Sequence, residues 1–142
     1  MSYPFTNMHL GAHATRQGAC EFLVWAPFAR KMVLAVTHPD PLELMLTPAE
    51  DGYYYGELNG LPPGSRYQYH IFAHGAQDDA DCLTRPDPAS RSQPEGVHGP
   101  SQVVSDDFPW HDHNWHGLPL SRYIIYEAHV GTMTAEGTFA SI

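Results

Sequence analysis

Residues 20–36 read CEFLVWAPFARKMVLAV, and this stretch decides the fold. Residues 22–25 form an apolar run closed by Pro27, and residues 31–36 resume it with imperfect alternation after the turn at 27–30. Proline lacks the donor that a ladder requires, so the two runs read as separate strands joined by a tight corner. The same punctuation recurs outward from there. Residues 42–46 are apolar at 42, 44, 45 and 46 between two prolines, and residues 53–58 open after Asp51-Gly52 and close at Asn59-Gly60. Tyr67, Tyr69 and Ile71 alternate with Gln68, His70 and Phe72 after Pro62-Pro63-Gly64, the period of a half-buried strand. Strand starts that recur about every 10–15 residues set the cadence of a β-sandwich. No long stretch keeps a helical period, and the expected class is all-β.

Composition narrows the partners. The 142 residues hold one domain of ordinary size and a short remainder. Seven Lys and Arg stand against 16 Asp and Glu, a formal charge of -9 that repels phosphate backbones and anionic lipid, so neither nucleic acid nor a membrane is an expected partner. No segment approaches the roughly 20 apolar residues that span a bilayer. Residues 1–10 lack a basic stretch followed by an apolar run, and the expected location is cytoplasmic. Cys20 and Cys82 match no zinc or redox spacing and read as reduced thiols, and no cofactor is expected.

Residues 85–104, RPDPASRSQPEGVHGPSQVV, are too particular for a tether. Pro86, Pro88, Pro94 and Pro100 each fix a backbone angle, while Gly96 and Gly99 open turns closed to other residues. An ordered loop is expected, with Arg85 and Arg91 donating to nearby carbonyls or to Asp87 and Glu95. Residues 105–120, SDDFPWHDHNWHGLPL, are polar, aromatic and without periodicity, and read as a connector. Tyr123, Ile124, Ile125 and Tyr126 then form an apolar run without alternation, the mark of a strand buried on both faces. The expected organisation is a sandwich over 8–104, a connector over 105–120 and the start of a second domain over 121–142.

Residues 85–104, taken with YIIYEAHVGTMTAEGTF at 123–139, resemble the N-terminal region of the maltooligosyltrehalose trehalohydrolases of glycoside hydrolase family 13, the alpha-amylase superfamily. GAHAT at 11–15 and the run at 20–36 resemble the opening of the sandwich that precedes the barrel in family 13 enzymes acting on branched or modified glucans. The resemblance implies an immunoglobulin-like, early-set sandwich related to carbohydrate-binding module family 48, followed by the first strand of a truncated TIM barrel. It implies a parent that hydrolyses the α-1,4 bond next to the terminal trehalose of maltooligosyl trehalose. Its partners would be a maltooligosaccharide-type substrate and the barrel itself. Such an enzyme uses two carboxylates about 5 Å apart. Barrel sites are assembled from the ends of many strands, so no catalytic residue is assigned in this chain, which is expected to be inactive alone.

Within the same resemblance, Glu127 and His129 of YEAHVG lie near the end of the first barrel strand, where they would order the base of the substrate cleft or fix neighbouring loops by hydrogen bonds. Arg85, Asp87, Arg91 and His98 are expected in an interdomain loop. Ala128 and Met133 depart from the Leu and the aromatic residue of the trehalohydrolase pattern. The YEAHVG stretch is shared with glycogen branching and debranching enzymes, which keeps that parentage open, as it does a self-standing glycan-binding module.

The remaining clusters have plainer readings. His111, Asp112, His113 and His116 lack zinc spacing, and Asp78, Asp79 and Asp81 lack the turn glycine and distal Glu of a calcium loop, so no metal site is expected. Trp25, Tyr53, Tyr54, Tyr55, Tyr67 and Tyr69 suit pyranose stacking, yet most must pack in the core. Alternation along 53–55 puts at least one tyrosine on the face opposite the other two. Residues 123–126, left without neighbours, are expected to self-associate.

Overall fold

The computed structural model describes residues 9–15, 17–73, 82–105 and 107–142. Asp78, Asp79 and Asp81 therefore lie outside the described residues. Contacts divide the chain into two compact units, Met1–Phe108 and Pro109–Ile142.

The first unit is a two-sheet antiparallel sandwich. Its strands are β1 (Gly11–Ala14), β2 (Ala19–Trp25), β3 (Ala29–His38), β4 (Leu42–Met45), β5 (Thr47–Pro48), β6 (Tyr53–Asn59), β7 (Arg66–Ala73), β8 (Leu83–Arg85) and β9 (Ser101–Gln102). One sheet runs β1-β2-β6-β5, and the other runs β4-β3-β7-β8 with β9 also paired to β7. The runs at 22–25, 31–36, 53–58 and 67–72 each lie within a longer strand, β2, β3, β6 and β7, and the run at 42–46 gives β4, which ends one residue early at Met45.

Register decides the faces. Directly opposed residues of an antiparallel pair point the same way. Val24 opposes Tyr54 and Phe22 opposes Gly56 on the inner face, with Met32, Leu34 and Val36 of β3 and Tyr67, Tyr69 and Ile71 of β7 meeting them from the second sheet. Phe22 and Tyr67 meet edge to face at 5.1 Å between ring centroids, the arrangement their quadrupoles favour. Gly56 is small for a packing reason: a Cβ there would lie 2.6 Å from Leu46 Cδ2 and 3.0 Å from Leu44 Cδ2. Leu46, buried between β4 and β5, fills the space that Gly56 leaves.

The corner inside the deciding stretch is docked on a distant turn. Asp51 and Gly52 both have left-handed backbone, φ 58° and 80°. Ala26 N–H donates to the Gly52 carbonyl at 2.8 Å, and a Cβ on Gly52 would lie 2.6 Å from Pro27 Cα. The turn thus both conforms to and pins the Trp25-Ala26-Pro27 corner.

The second unit holds turns of 3-10 helix at Leu120–Arg122 and Phe139–Ser141 and one short helix, α1 (Val130–Met133). The strand expected at 123–126 is not part of any ladder. Tyr123 and His129 have extended backbone, but residues 123–129 join no strand ladder among the described residues, and Ile124 is 98 % exposed. A strand destined for burial on both faces needs a neighbour on each side to take its N–H and C=O groups, and none is at hand.

Candidate functional site

The loop at 85–104 is stitched at both ends to one strand. β8 pairs Arg85 with Tyr69, and β9 pairs Ser101 with Tyr67, so the chain leaves β7 and rejoins it two residues away. Both residues that precede a proline in Arg85-Pro86-Asp87-Pro88 are driven towards extended backbone, which turns Asp87 in beneath the departing loop. The residue is 3 % exposed. Oδ2 accepts the hydroxyls of Tyr67 at 2.7 Å and Tyr69 at 3.1 Å, and Oδ1 accepts the Ala89 N–H at 2.8 Å. Asp87 N–H donates to the buried Ser101 Oγ at 2.9 Å, closing the loop across its neck. Burial first, and the Asp87 charge second, push both tyrosine hydroxyls far above their usual pKa.

The two loop arginines donate to carbonyls, one of the two alternatives the sequence offered, and not to Asp87 or Glu95. Arg91 Nη2 donates to the carbonyls of Ala12 at 3.1 Å and Val104 at 3.2 Å, and Glu95 is engaged by Arg66 rather than by either loop arginine. Arg85 Nη1 donates to the Thr84 carbonyl at 2.8 Å, with its side chain exposed. His98 is exposed. Asp87 was legible as a loop carboxylate but not as a core acceptor; the available signal was an acid locked between two prolines, downstream of a strand that carries tyrosines two apart.

The aromatic residues divide by face. Tyr54 points inward and donates to the Ala29 carbonyl at 2.6 Å, whereas Tyr53 and Tyr55, both half-buried, share the outer face of the first sheet with Leu23 and Trp25. Trp25 is 55 % exposed. Its indole N–H donates to the Asp51 carbonyl at 2.9 Å, so the side chain is held although it is not buried.

Two hollows adjoin at Trp25. One, about 330 Å³, opens between the sheets and is walled by Met32, Ile71, Pro86 and Pro88, with Arg85 among its lining residues. The other, about 240 Å³, is lined by Leu10, Leu23, Asp87 and Ala89. Val24, Trp25 and Pro88 line both. A larger hollow of about 850 Å³ lies at the opposite end of β2, but glycines, alanines and prolines dominate its lining and it has no aromatic face.

Elsewhere the chemistry is sparse. Glu127 is exposed, and His129 occupies the N-cap position of α1 without a side-chain capping bond, its Nδ1 3.3 Å from Thr132 Oγ1. His111, Asp112, His113 and His116 are exposed, and among the described residues no three His, Cys, Asp or Glu side chains converge as a metal site would require. Cys20 and Cys82 are both free thiols, and burial pushes the Cys20 thiol up to about 12. Among the described residues no helix is long and apolar enough to cross a membrane.

Residues 9–88 match the family model of carbohydrate-binding module 48, the isoamylase N-terminal domain. A malto-oligosyltrehalose trehalohydrolase from Saccharolobus solfataricus is 39 % identical over 121 residues, 85 % of this chain and 20 % of that protein. One from Deinococcus radiodurans is 37 % identical over 132 residues, 92 % of this chain and 20 % of that protein. A 1,4-alpha-glucan branching enzyme from Salinibacter ruber is 32 % identical over 150 residues, 94 % of this chain and 23 % of that protein. Among solved structures, a putative alpha amylase from Salmonella typhimurium superposes with a TM-score of 0.75 and 30 % identity over 93 % of this chain and 21 % of that one. The chain thus spans about a fifth of the length of the curated trehalohydrolases it matches. With an antiparallel sandwich and a family match over more than half its length, the chain belongs to the carbohydrate-binding module 48 family, the isoamylase N-terminal domain.

Proposed function

We propose that this chain is the amino-terminal, non-catalytic part of a cytoplasmic malto-oligosyltrehalose trehalohydrolase, an enzyme that would release trehalose by hydrolysing the α-1,4 bond next to the terminal trehalose of maltooligosyl trehalose. The observation that carries the reading is where the similarity extends. The module match stops at residue 88, yet the trehalohydrolases align over 85 % and 92 % of the chain, which takes in sequence beyond the sandwich.

In this reading the 85–104 loop is an interdomain collar. Asp87 holds it to β7 from inside, Arg91 ties it to the Ala12 and Val104 carbonyls, and the exposed Arg85 and His98 side chains would meet a following barrel. Residues 121–142 begin that barrel, and Glu127 and His129 belong to the base of its substrate cleft. The nucleophile and the acid lie on later strands.

The coverage of the branching enzyme, 94 % of this chain, favours one second reading, a glucan-branching parent. Product analysis separates the two. The polypeptide continued through its reading frame is incubated with maltotriosyl trehalose and, separately, with amylose. Free trehalose from the first with no new α-1,6 branches in the second is expected; branches without trehalose would replace the proposal with the second reading.

A further inference from the structure

We propose that residues 123–127 of one copy of this chain add a strand to the free edge of β8 in a second copy, with Ile125 beside Leu83 and Glu127 beside Arg85. The proposal gives the apolar run a named acceptor and is independent of the reaction assigned to the parent.

The donor is an apolar run outside any ladder. Ile124, Ile125 and Tyr126 are 98 %, 78 % and 78 % exposed, and the exposed Glu127 follows them. Pairing the run with a strand edge satisfies its backbone groups and takes its side chains out of water in one step. The acceptor follows from comparing the sheet edges. Among the described residues, β1 and β5 lie outermost in one sheet and β4 and β8 in the other. The 85–104 loop covers β1: Arg91 Nη2 donates to the Ala12 carbonyl, and a Cβ on Gly11 would lie 3.1 Å from the Ala89 carbonyl oxygen. β5 has two residues, one of them Pro48, which lacks a donor. β4 packs Leu44 on the core and carries the exposed Glu43, whose charge repels Glu127. β8 differs in both respects. Leu83 opposes Ile71 and faces inward with it, yet it is 49 % exposed, and the hollow of about 330 Å³ lies against Ile71 and Arg85. Arg85, on the same face, is exposed, and its Nη1 bond to the Thr84 carbonyl leaves the other guanidinium donors for a carboxylate. Charge also sets the direction. Side chains alternate along a strand, so a parallel alignment with Ile125 beside Leu83 puts Glu127 beside Arg85 on one face. The antiparallel alignment about the same pair puts Tyr123 there and forgoes the ion pair.

The test is sedimentation equilibrium of the purified 142-residue chain at low ionic strength, combined with a charge swap. The unaltered chain should associate reversibly. Arg85→Glu and Glu127→Arg both alter exposed side chains and leave the core untouched, and circular dichroism checks that each variant folds. Each variant alone should show a severalfold higher dissociation constant, because like charges then face each other across the new strand pair. Mixed in equal amounts, the two variants should associate about as tightly as the unaltered chain, since each supplies the charge that the other's partner lacks. Three results would each overturn the proposal: an unaltered chain that stays monomeric at high concentration, single variants that associate as tightly as it does, or a mixture no tighter than either variant alone. The last would place any pairing within one chain or at another edge. Hydrolysis enters none of these measurements, so a parent that releases no trehalose and a β8 edge that accepts no strand are separate results.

Discussion

Asp87 is one carboxylate with three protein donors, two of them phenol hydroxyls that have been taken out of water. Removing it leaves both hydroxyls buried and unpaired, at a cost of about 1–3 kcal/mol each. Asp87→Ala should therefore lower the unfolding free energy by roughly 3 kcal/mol. Tyr69→Phe, which removes the longer of the two hydroxyl bonds and leaves the carboxylate paired, should cost about 1 kcal/mol. Urea unfolding of the two variants checks the ordering, and equal losses would show that Asp87 is not the hub. Cys20 gives a second residue-scale expectation. Its thiol is raised from 9.0 to about 12 by burial, so above pH 9 the unfolded chain loses a proton that the folded chain keeps. The stabilisation is intact below pH 9 and should be lost progressively between pH 9 and 12, at up to about 1.4 kcal/mol per pH unit, with the raised Tyr67 and Tyr69 adding in the same direction. At pH 8 a thiol reagent should titrate half-buried Cys82 in the folded chain and Cys20 only after denaturant is added; rapid reaction of both would contradict the burial of Cys20.

Among the elements, the corner at 25–27 and the turn at 51–52 form one unit. An alanine at Gly52 must adopt a left-handed φ and push its Cβ into the backbone of Pro27, so Gly52→Ala should cost about 2 kcal/mol or more and broaden the Trp25 indole resonance. An unshifted melting temperature would sink this coupling. The loop at 85–104 should be protected in hydrogen exchange at Ser90, Gln102 and Val103, whose N–H groups donate to the Asp87, Ser92 and Ser65 carbonyls. Residues 123–126 should behave oppositely. Exposed and unpaired, they invite intermolecular pairing, and Ile124→Lys with Ile125→Lys should reduce light scattering at high concentration. These elements show what sequence can and cannot reveal. Proline and Gly-x punctuation disclosed the strands because a missing donor and a positive φ are local properties. The partners of Arg91 and Asp87 were hidden because they lie up to 79 residues away and depend on the register of β1, β7 and β9. The apolar run at 123–126 reads as a strand from its own residues, but a ladder is a property of neighbours.

At the scale of the molecule, the class was readable, since alternation and turn residues mark the strands locally, but the pairing of β2 with β6 and of β3 with β7 was not, because those partners are distant in the chain. Nor was the hollow of about 330 Å³, which is made where β2 of one sheet, β7 of the other and Pro86 and Pro88 converge. The proposal makes this chain the non-catalytic part of a trehalohydrolase, with the chemistry on barrel strands outside it. It is tested most directly by measuring trehalose released from maltotriosyl trehalose by the purified 142-residue chain, beside the polypeptide continued through its reading frame, with contaminating amylase excluded. No release by the first and turnover by the second is the predicted result; turnover by the 142-residue chain alone would contradict the account.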